Sequence, residues 1–202
     1  MTLTLCTSLI PGSRLGVQKA AIYSWQRAGF EIRSINSQKE ASQITEIFPD
    51  IICDTVLRDG SHIAGRPVIY ISDILENIRK TGNEIGGITN SDIIIGSGSE
   101  IKRFVANLPI DTLLICPRND VEHIGQLYGE IDYFGYDTFF FHNKLIGDWH
   151  DNRFALGMPF WDHWFPIISL LSGRRVLKLV SNNFRHVRHS THRDSSFFMF
   201  NS

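Results

Sequence analysis

Gly86-Gly87-Ile88-Thr89-Asn90-Ser91-Asp92-Ile93-Ile94-Ile95 is an apolar run broken in its middle by three polar residues. The flanking isoleucines ask for a buried strand, and a buried strand carries an aspartate only where something compensates its charge. A metal ion, a basic partner or a turn amide would serve. The triplet is therefore either a ligand site at a strand end or a turn between two short strands that Asp92 caps.

Outward from this run, short β-rich stretches alternate with amphipathic helical ones, the pattern of βα units around a mainly parallel sheet. Residues 2–7 form the first predicted strand and Pro11-Gly12-Ser13 a turn. Val17, Ala20, Ala21, Ser24, Trp25 and Ala28 follow at helical spacing, with Gly29 placed to end the helix in a left-handed conformation. Residues 31–36 make a second strand, and Ser37-x-x-Glu40 is a capping box for a helix bearing Ile44, Ile47 and Phe48 and stopped by Pro49. Residues 51–57 are the third strand. Ile71, Ile74, Leu75 and Ile78 line a helix over 72–80, Ser97-x-x-Glu100 opens another, and residues 112–116 form a further strand. After Gly125 the chain turns aromatic, with Tyr133-Phe134, residues 138–141 and Trp161-Asp162-His163-Trp164-Phe165-Pro166. The fold class expected is α/β, one domain over 1–202, with a nucleotide-binding-like half (1–124) and an acceptor-like half (125–202).

The bulk properties remove several functions. With 202 residues the chain can bury about 70 % of its unfolded surface in one core without a covalent staple. Lysine plus arginine (20) nearly balance aspartate plus glutamate (21), so no global field suits a nucleic-acid backbone or an anionic membrane. Cys6, Cys53 and Cys116 lie far apart in apolar surroundings, as buried thiols of a reducing compartment do. Residues 1–8 have no basic n-region, and no run of ~18 apolar residues occurs, so a cytoplasmic protein without a transmembrane segment is expected.

In open α/β sheets the ligands gather beyond the carboxyl ends of the strands. Three polar clusters belong there. Thr7, Ser8 and Arg14 follow the first strand and are joined by Asn36 after the second; Asn90-Ser91-Asp92 is the second cluster; residues 185–193 follow the last strand. Arg174, Arg175, Lys178, Arg185, Arg188 and Arg193 come without an intervening acid, which makes either a local pyrophosphate site or a solvated basic surface. His186-x-x-His189-x-x-His192 could add imidazole to Asp92 around a divalent ion, or play a structural or titrating part. Asp162 is an N-cap or, walled by Phe160, Trp161 and Trp164, a general base, while the aromatics are core or a sugar platform. Asp132 and Asp137 are secondary carboxylates.

The order of Thr7-Ser8, Asn36-Ser37, Asn90-Ser91-Asp92, the 135–141 strand, Gly157-Met158-Pro159-Phe160-Trp161-Asp162 and the late histidines resembles the nucleotide-sugar glycosyltransferases of the GT-A fold. It is particularly similar to small bacterial members linked to surface polysaccharide. The resemblance implies a Rossmann-like fold and transfer of a sugar from a nucleoside-diphosphate donor to a glycan or other hydroxyl acceptor. It places Asn90-Ser91-Asp92 at the family's metal-binding DxD motif, with Asn90 departing from the first aspartate and Asp92 matching the last. It further implies Mn or Mg held with His186 or His189, nucleotide contacts from Thr7, Ser8, Arg14, Asn36, Asn90 and Ser91, and Arg185 or Arg188 on the leaving group. Asp162 would be the base, with Asp137, Trp161 and Trp164 on the acceptor side. A metal-dependent hydrolase or phosphotransferase, an inactive nucleotide- or glycan-binding module, and assembly as a homodimer or larger complex are the alternatives.

Overall fold

Alternation of the core strands between two helical layers is what the apolar pattern requires, and the computed structural model, which describes residues 2–150 and 153–189, shows it. The elements in order are β1 (Leu3–Thr7), α1 (Leu15–Ala28), β2 (Glu31–Ser37), α2 (Gln38–Ile47), β3 (Ile52–Val56), a short α3 (Ser61–Ala64), α4 (Ile71–Lys80), β4 (Ile85–Thr89) and β5 (Ile93–Ile95). Then come α5 (Gly98–Ala106), β6 (Thr112–Val121), β7 (Glu130–His142), a 3-10 segment η1 (Asn143–Asp148), α6 (Trp161–Leu171), β8 (Arg175–Lys178) and β9 (Phe184–Val187).

The strands form a single sheet in the order β3-β2-β1-β4-β7-β6-β9-β5, with β8 beside β6. The β3-β2-β1-β4 portion is parallel, as the βα alternation predicts. β7 runs antiparallel between β4 and β6, because β6 and β7 are hairpin partners. The two sequence halves therefore interleave in one sheet. β6 is shared along one edge, pairing β8 through Thr112–Ile115 and β9 through Asn119–Val121.

Successive residues of a strand serve opposite layers. Phe140 joins Leu3, Leu5, Trp25, Ile44, Ile101 and Leu114 on the α1/α2/α5 side. Phe139 and Phe141 join Ile35, Ile74, Ile88, Leu113, Trp149 and Phe165 on the α4/α6 side. The double glycine of β4 is a packing requirement: a Cβ on Gly87 would stand 2.7 Å from the Phe140 ring and 2.8 Å from the Phe139 carbonyl.

Asn90-Ser91-Asp92 does not interrupt one strand. It separates β4 in the middle of the sheet from β5 at its far edge, where β5 runs antiparallel to β9. Gly29 takes the left-handed conformation expected of it (φ 80°). Both Ser-x-x-Glu pairs mark helix starts, but neither serine side chain caps the backbone: Ser97 is itself left-handed (φ 43°), and the Ser37 hydroxyl turns to the Glu40 carboxylate at 3.4 Å. Cys6 and Cys116 are buried and Cys53 half-buried, all as free thiols. Among the described residues no helix is long and apolar enough to cross a membrane.

Candidate functional site

The loop after β1 is fixed by buried side chains. The Gln18 amide, on the first turn of α1, donates to the carbonyls of Ile10 and Ser13 and accepts from the Ile10 N–H at 2.9 Å. Asn36 donates to the Leu9 carbonyl at 2.8 Å, and the Leu9 N–H reaches Ser34 at 3.0 Å. The loop ends on Arg14, a non-glycine residue in the left-handed region (φ 47°) whose carbonyl accepts the first hydrogen bonds of α1. Such a conformation costs roughly 1 kcal/mol for a residue with a Cβ, so the surroundings must impose it. Its result is the direction of the side chain. Arg14 Nη1 lies 2.7 Å from Asp92 Oδ2, and Nη2 donates to the Val187 carbonyl at 2.6 Å.

Asp92 is placed from the other side by the same helix. The Trp25 indole N–H donates to the Ile93 carbonyl at 2.8 Å, and the Ile95 N–H donates to Ser24 Oγ at 2.9 Å, so α1 clamps β5. The pairing of Ile93 with His186 then sets the last strand beside the triplet. His186 Nε2 and His189 Nε2 come within 3.5 and 3.7 Å of Asp92 Oδ2, and one donor atom from each of the three residues fits within 4.8 Å. Burial pushes the Asp92 carboxyl upward, but the bond and charge of His186, then Arg14 and His189, outweigh it and hold the group below the ordinary carboxylate range. Burial lowers His186, and the Asp92 and Asp120 carboxylates more than reverse this, leaving it raised.

Asp120, at the carboxyl end of β6, was not singled out from sequence. Its Oδ1 meets His186 Nδ1 at 2.8 Å, which turns Nε2 toward Asp92 and fixes the ring in the manner of a carboxylate–histidine–metal relay. Arg118 ties the rest together: it reaches Asp120 at 3.1 Å, Asp132 at 2.9 Å and Asp137 at 3.1 Å. Asp137 also accepts from the Asn90 side chain at 2.7 Å. Burial pushes the Asp137 carboxyl up to about 6 against the pull of Arg118. The available signal for Arg118 and Asp120 was charge on both sides of Asn119 at the end of an otherwise apolar strand.

Arg14, Asn90, Asp92, Asp137, His186 and His189 thus share one corner at the carboxyl ends of β4 and β6, with Ser91 half-buried in the triplet itself. Thr7 is buried at the end of β1 with its hydroxyl unsatisfied, and Ser8 follows it half-buried. Asn36 is spent on the loop and on Ser34, whose hydroxyl donates to it at 2.5 Å.

The basic C-terminal stretch is not one field. Arg188 pairs with Glu130 at 2.6 Å and Glu122 at 3.3 Å, Arg174 with Asp148, and Arg175 with Asp111. Arg185 donates to the Gln126 carbonyl, and its Nε is buried without a partner. The lone Arg14, from the other end of the chain, is the guanidinium that meets Asp92. His192, Arg193 and the aromatic tail 195–202 lie outside the described residues.

Of the predicted acceptor residues, Asp137 lies on β7 and Trp161 and Trp164 on α6. Trp161 is 3 % exposed, packed edge-on against Phe139 at 5.2 Å, and Trp164 packs on Phe154 and Phe165. Trp161 is core and Trp164 packs half-buried against it, because the apolar face of α6 covers β7. Asp162 is half-buried beside His163 at 3.1 Å, and the His163 ring lies 5.6 Å from Tyr136, the neighbour of Asp137. Of the three aromatics around Asp162 only Phe160 (63 %) is exposed, and Tyr133 (53 %) and Phe134 (71 %) of β7 are exposed as well. Lys178 Nζ stands over Tyr133, Phe134 and Tyr136 at 5.0–5.7 Å from the ring centroids.

One carboxylate and two imidazoles are a donor set fit for a divalent ion, and two nitrogens favour manganese over magnesium. No protein-family model and no curated protein matches the chain. Solved structures do. A nucleotidyl transferase from Methanothermobacter is 15 % identical over 90 % of this chain and 87 % of its own, with a TM-score of 0.56. A Desulfovibrio desulfuricans protein assigned to the nucleotide-diphospho-sugar transferases is 10 % identical, covers 100 % and 95 %, and has the same TM-score of 0.56. The Mycobacterium tuberculosis protein Rv0371c, in complex with manganese, is 13 % identical over 99 % and 97 %, also at 0.56. These likenesses show the fold, the α/β architecture of the nucleotide-diphospho-sugar transferases.

Proposed function

We propose that the chain is a nucleotide-dependent transferase and, within that class, a glycosyltransferase that moves a sugar from a nucleoside-diphosphate donor to a hydroxyl acceptor. The observation that carries this reading is the convergence of Asp92, His186, His189 and Arg14 on one point beyond the carboxyl end of β4. That is where ligands of open α/β sheets bind, and its charges suit a metal-bound diphosphate. Asp92 and the two imidazoles would hold a divalent cation, which when bound supplies neutralising charge to the diphosphate. The buried Thr7 hydroxyl and the loop through Arg14 face the donor in this reading.

The acceptor belongs on the β7/α6 side, where Tyr133, Phe134 and Lys178 offer an exposed aromatic and cationic surface suited to a glycan. Asp162 takes the proton of the acceptor hydroxyl. The freed oxygen forms a bond to the anomeric carbon, the anomeric carbon–phosphate oxygen bond breaks, and its electron pair leaves with the nucleoside diphosphate, beside Arg14. Asp137, whose carboxyl burial raises to about 6, is a second proton acceptor in this reading and lies in the corner itself.

The test is a thermal-shift screen of nucleoside diphosphates and nucleotide sugars with and without Mn²⁺, on wild type and on Asp92→Ala. A ligand at 100 times its Kd adds about 2.7 kcal/mol. Metal-dependent stabilisation by one nucleotide, absent from the variant, is the expected result, and silence toward every nucleotide would sink the proposal. Release of nucleoside diphosphate that needs no acceptor would point to the hydrolase instead.

A further inference from the structure

We propose that Arg14 is an internal cation that occupies the metal's place at Asp92 until a diphosphate draws it away, so that the corner takes divalent cation and diphosphate together and neither well alone. This rests on the reading of the corner as a diphosphate site.

The argument begins with a shared atom. Arg14 Nη1 sits 2.7 Å from Asp92 Oδ2, and this is the oxygen that His186 Nε2 and His189 Nε2 face at 3.5 and 3.7 Å. A divalent ion coordinates carboxylate oxygen at about 2.0–2.2 Å, closer than the guanidinium already there. Both cannot occupy the same side of one oxygen. Charge works in the same direction. Asp92 is the only carboxylate of the ligand set, Arg14 already neutralises it, and an arriving dication meets an adjacent positive charge.

A diphosphate removes the conflict. Its oxygens accept the planar guanidinium fork bidentately, a better match than a single carboxylate contact, and its negative charge screens the arginine from the ion. The move needs only the side chain. The backbone around Arg14 is held by Gln18 and by the first hydrogen bonds of α1, so the guanidinium can swing while the loop stays. The departure is also felt on the far strand, since Arg14 Nη2 releases the Val187 carbonyl, two residues before His189. Coupling of this kind is reciprocal: whatever pyrophosphate does for metal, metal does for pyrophosphate.

The experiment titrates Mn²⁺ alone and pyrophosphate alone into the full chain, with wild type compared to Arg14→Gln, Arg14→Lys and Asp92→Asn. The signature is a pair of opposite signs. In Arg14→Gln, Mn²⁺ should bind about fivefold more tightly, the scale of a freed ion pair. Pyrophosphate should bind about tenfold more weakly, the scale of a lost charged hydrogen bond. Arg14→Lys keeps the positive charge, so its Mn²⁺ affinity should stay near wild type, which separates competition from a general loosening of the loop. Asp92→Asn should abolish Mn²⁺ binding. Unchanged or weaker Mn²⁺ affinity in Arg14→Gln, with pyrophosphate binding intact and still strengthened by metal, overturns the exchange and leaves the proposed function standing. No pyrophosphate binding by wild type, with or without Mn²⁺, overturns both.

Discussion

The corner around Asp92 and the surface around Tyr133 and Phe134 are built on opposite principles. In the first, polar groups are bonded across long sequence distances: Trp25 to Ile93, Arg14 to Asp92 and to Val187, His186 to Asp120. In the second, aromatic rings stand in solvent with one lysine over them. A corner whose backbone is bonded from several elements suits the proposed diphosphate, whose geometry is constant, and the open surface suits a ligand that varies. The difference teaches that the exposed surface can change its side chains without disturbing the fold, whereas the corner cannot.

The comparison breaks most visibly at Trp25. Trp25→Ala should cost about 3–5 kcal/mol in a urea titration, through the cavity and the lost hold on β5. If it costs under 1 kcal/mol, α1 is not the clamp described. Asp137→Asn should change how stability depends on pH. The folded carboxyl is raised from 3.8 to about 6, so its contribution is fully present below the unfolded value and is lost as pH rises through about 6. The asparagine variant removes this loss. Its unfolding free energy should fall less between pH 4 and 7 than the wild type's, by on the order of 2 kcal/mol; parallel profiles would show that Asp137 titrates normally. At the small end, Phe134→Ala should shift stability by less than about 0.5 kcal/mol. It should lower turnover with a glycan acceptor while leaving nucleotide-induced thermal shifts intact, and a change in nucleotide response would erase the distinction between the two regions.

Much of the architecture was legible because its signals are local. The βα alternation through residue 89 needs only apolar periodicity and turn residues, and Gly29 ends α1 for a reason visible within four residues. The insertion of β7 between β4 and β6 was not legible, since strand neighbours are chosen by packing of Phe139, Phe140 and Phe141 against both layers. The same divide runs through the site. Asp92 betrayed itself as a charge in an apolar run, and the late histidines as a repeated spacing. That Arg14 rather than Arg188 meets the aspartate depends on which acids stand nearby, and Glu122 and Glu130 claim Arg188. Trp161 could not be told from an exposed platform, because α6 is apolar on more than one side and only its docking on β7 decides which rings are covered.

The contact between Arg14 and the Val187 carbonyl joins residues 173 positions apart. On a ribosome the first of these emerges long before the second. The loop, α1 and the parallel strands can all form while the histidines are still untranslated, but the charge constellation cannot. The corner is therefore the last part of the described chain whose residues are all available, and it closes only with β9 in place between β5 and β6.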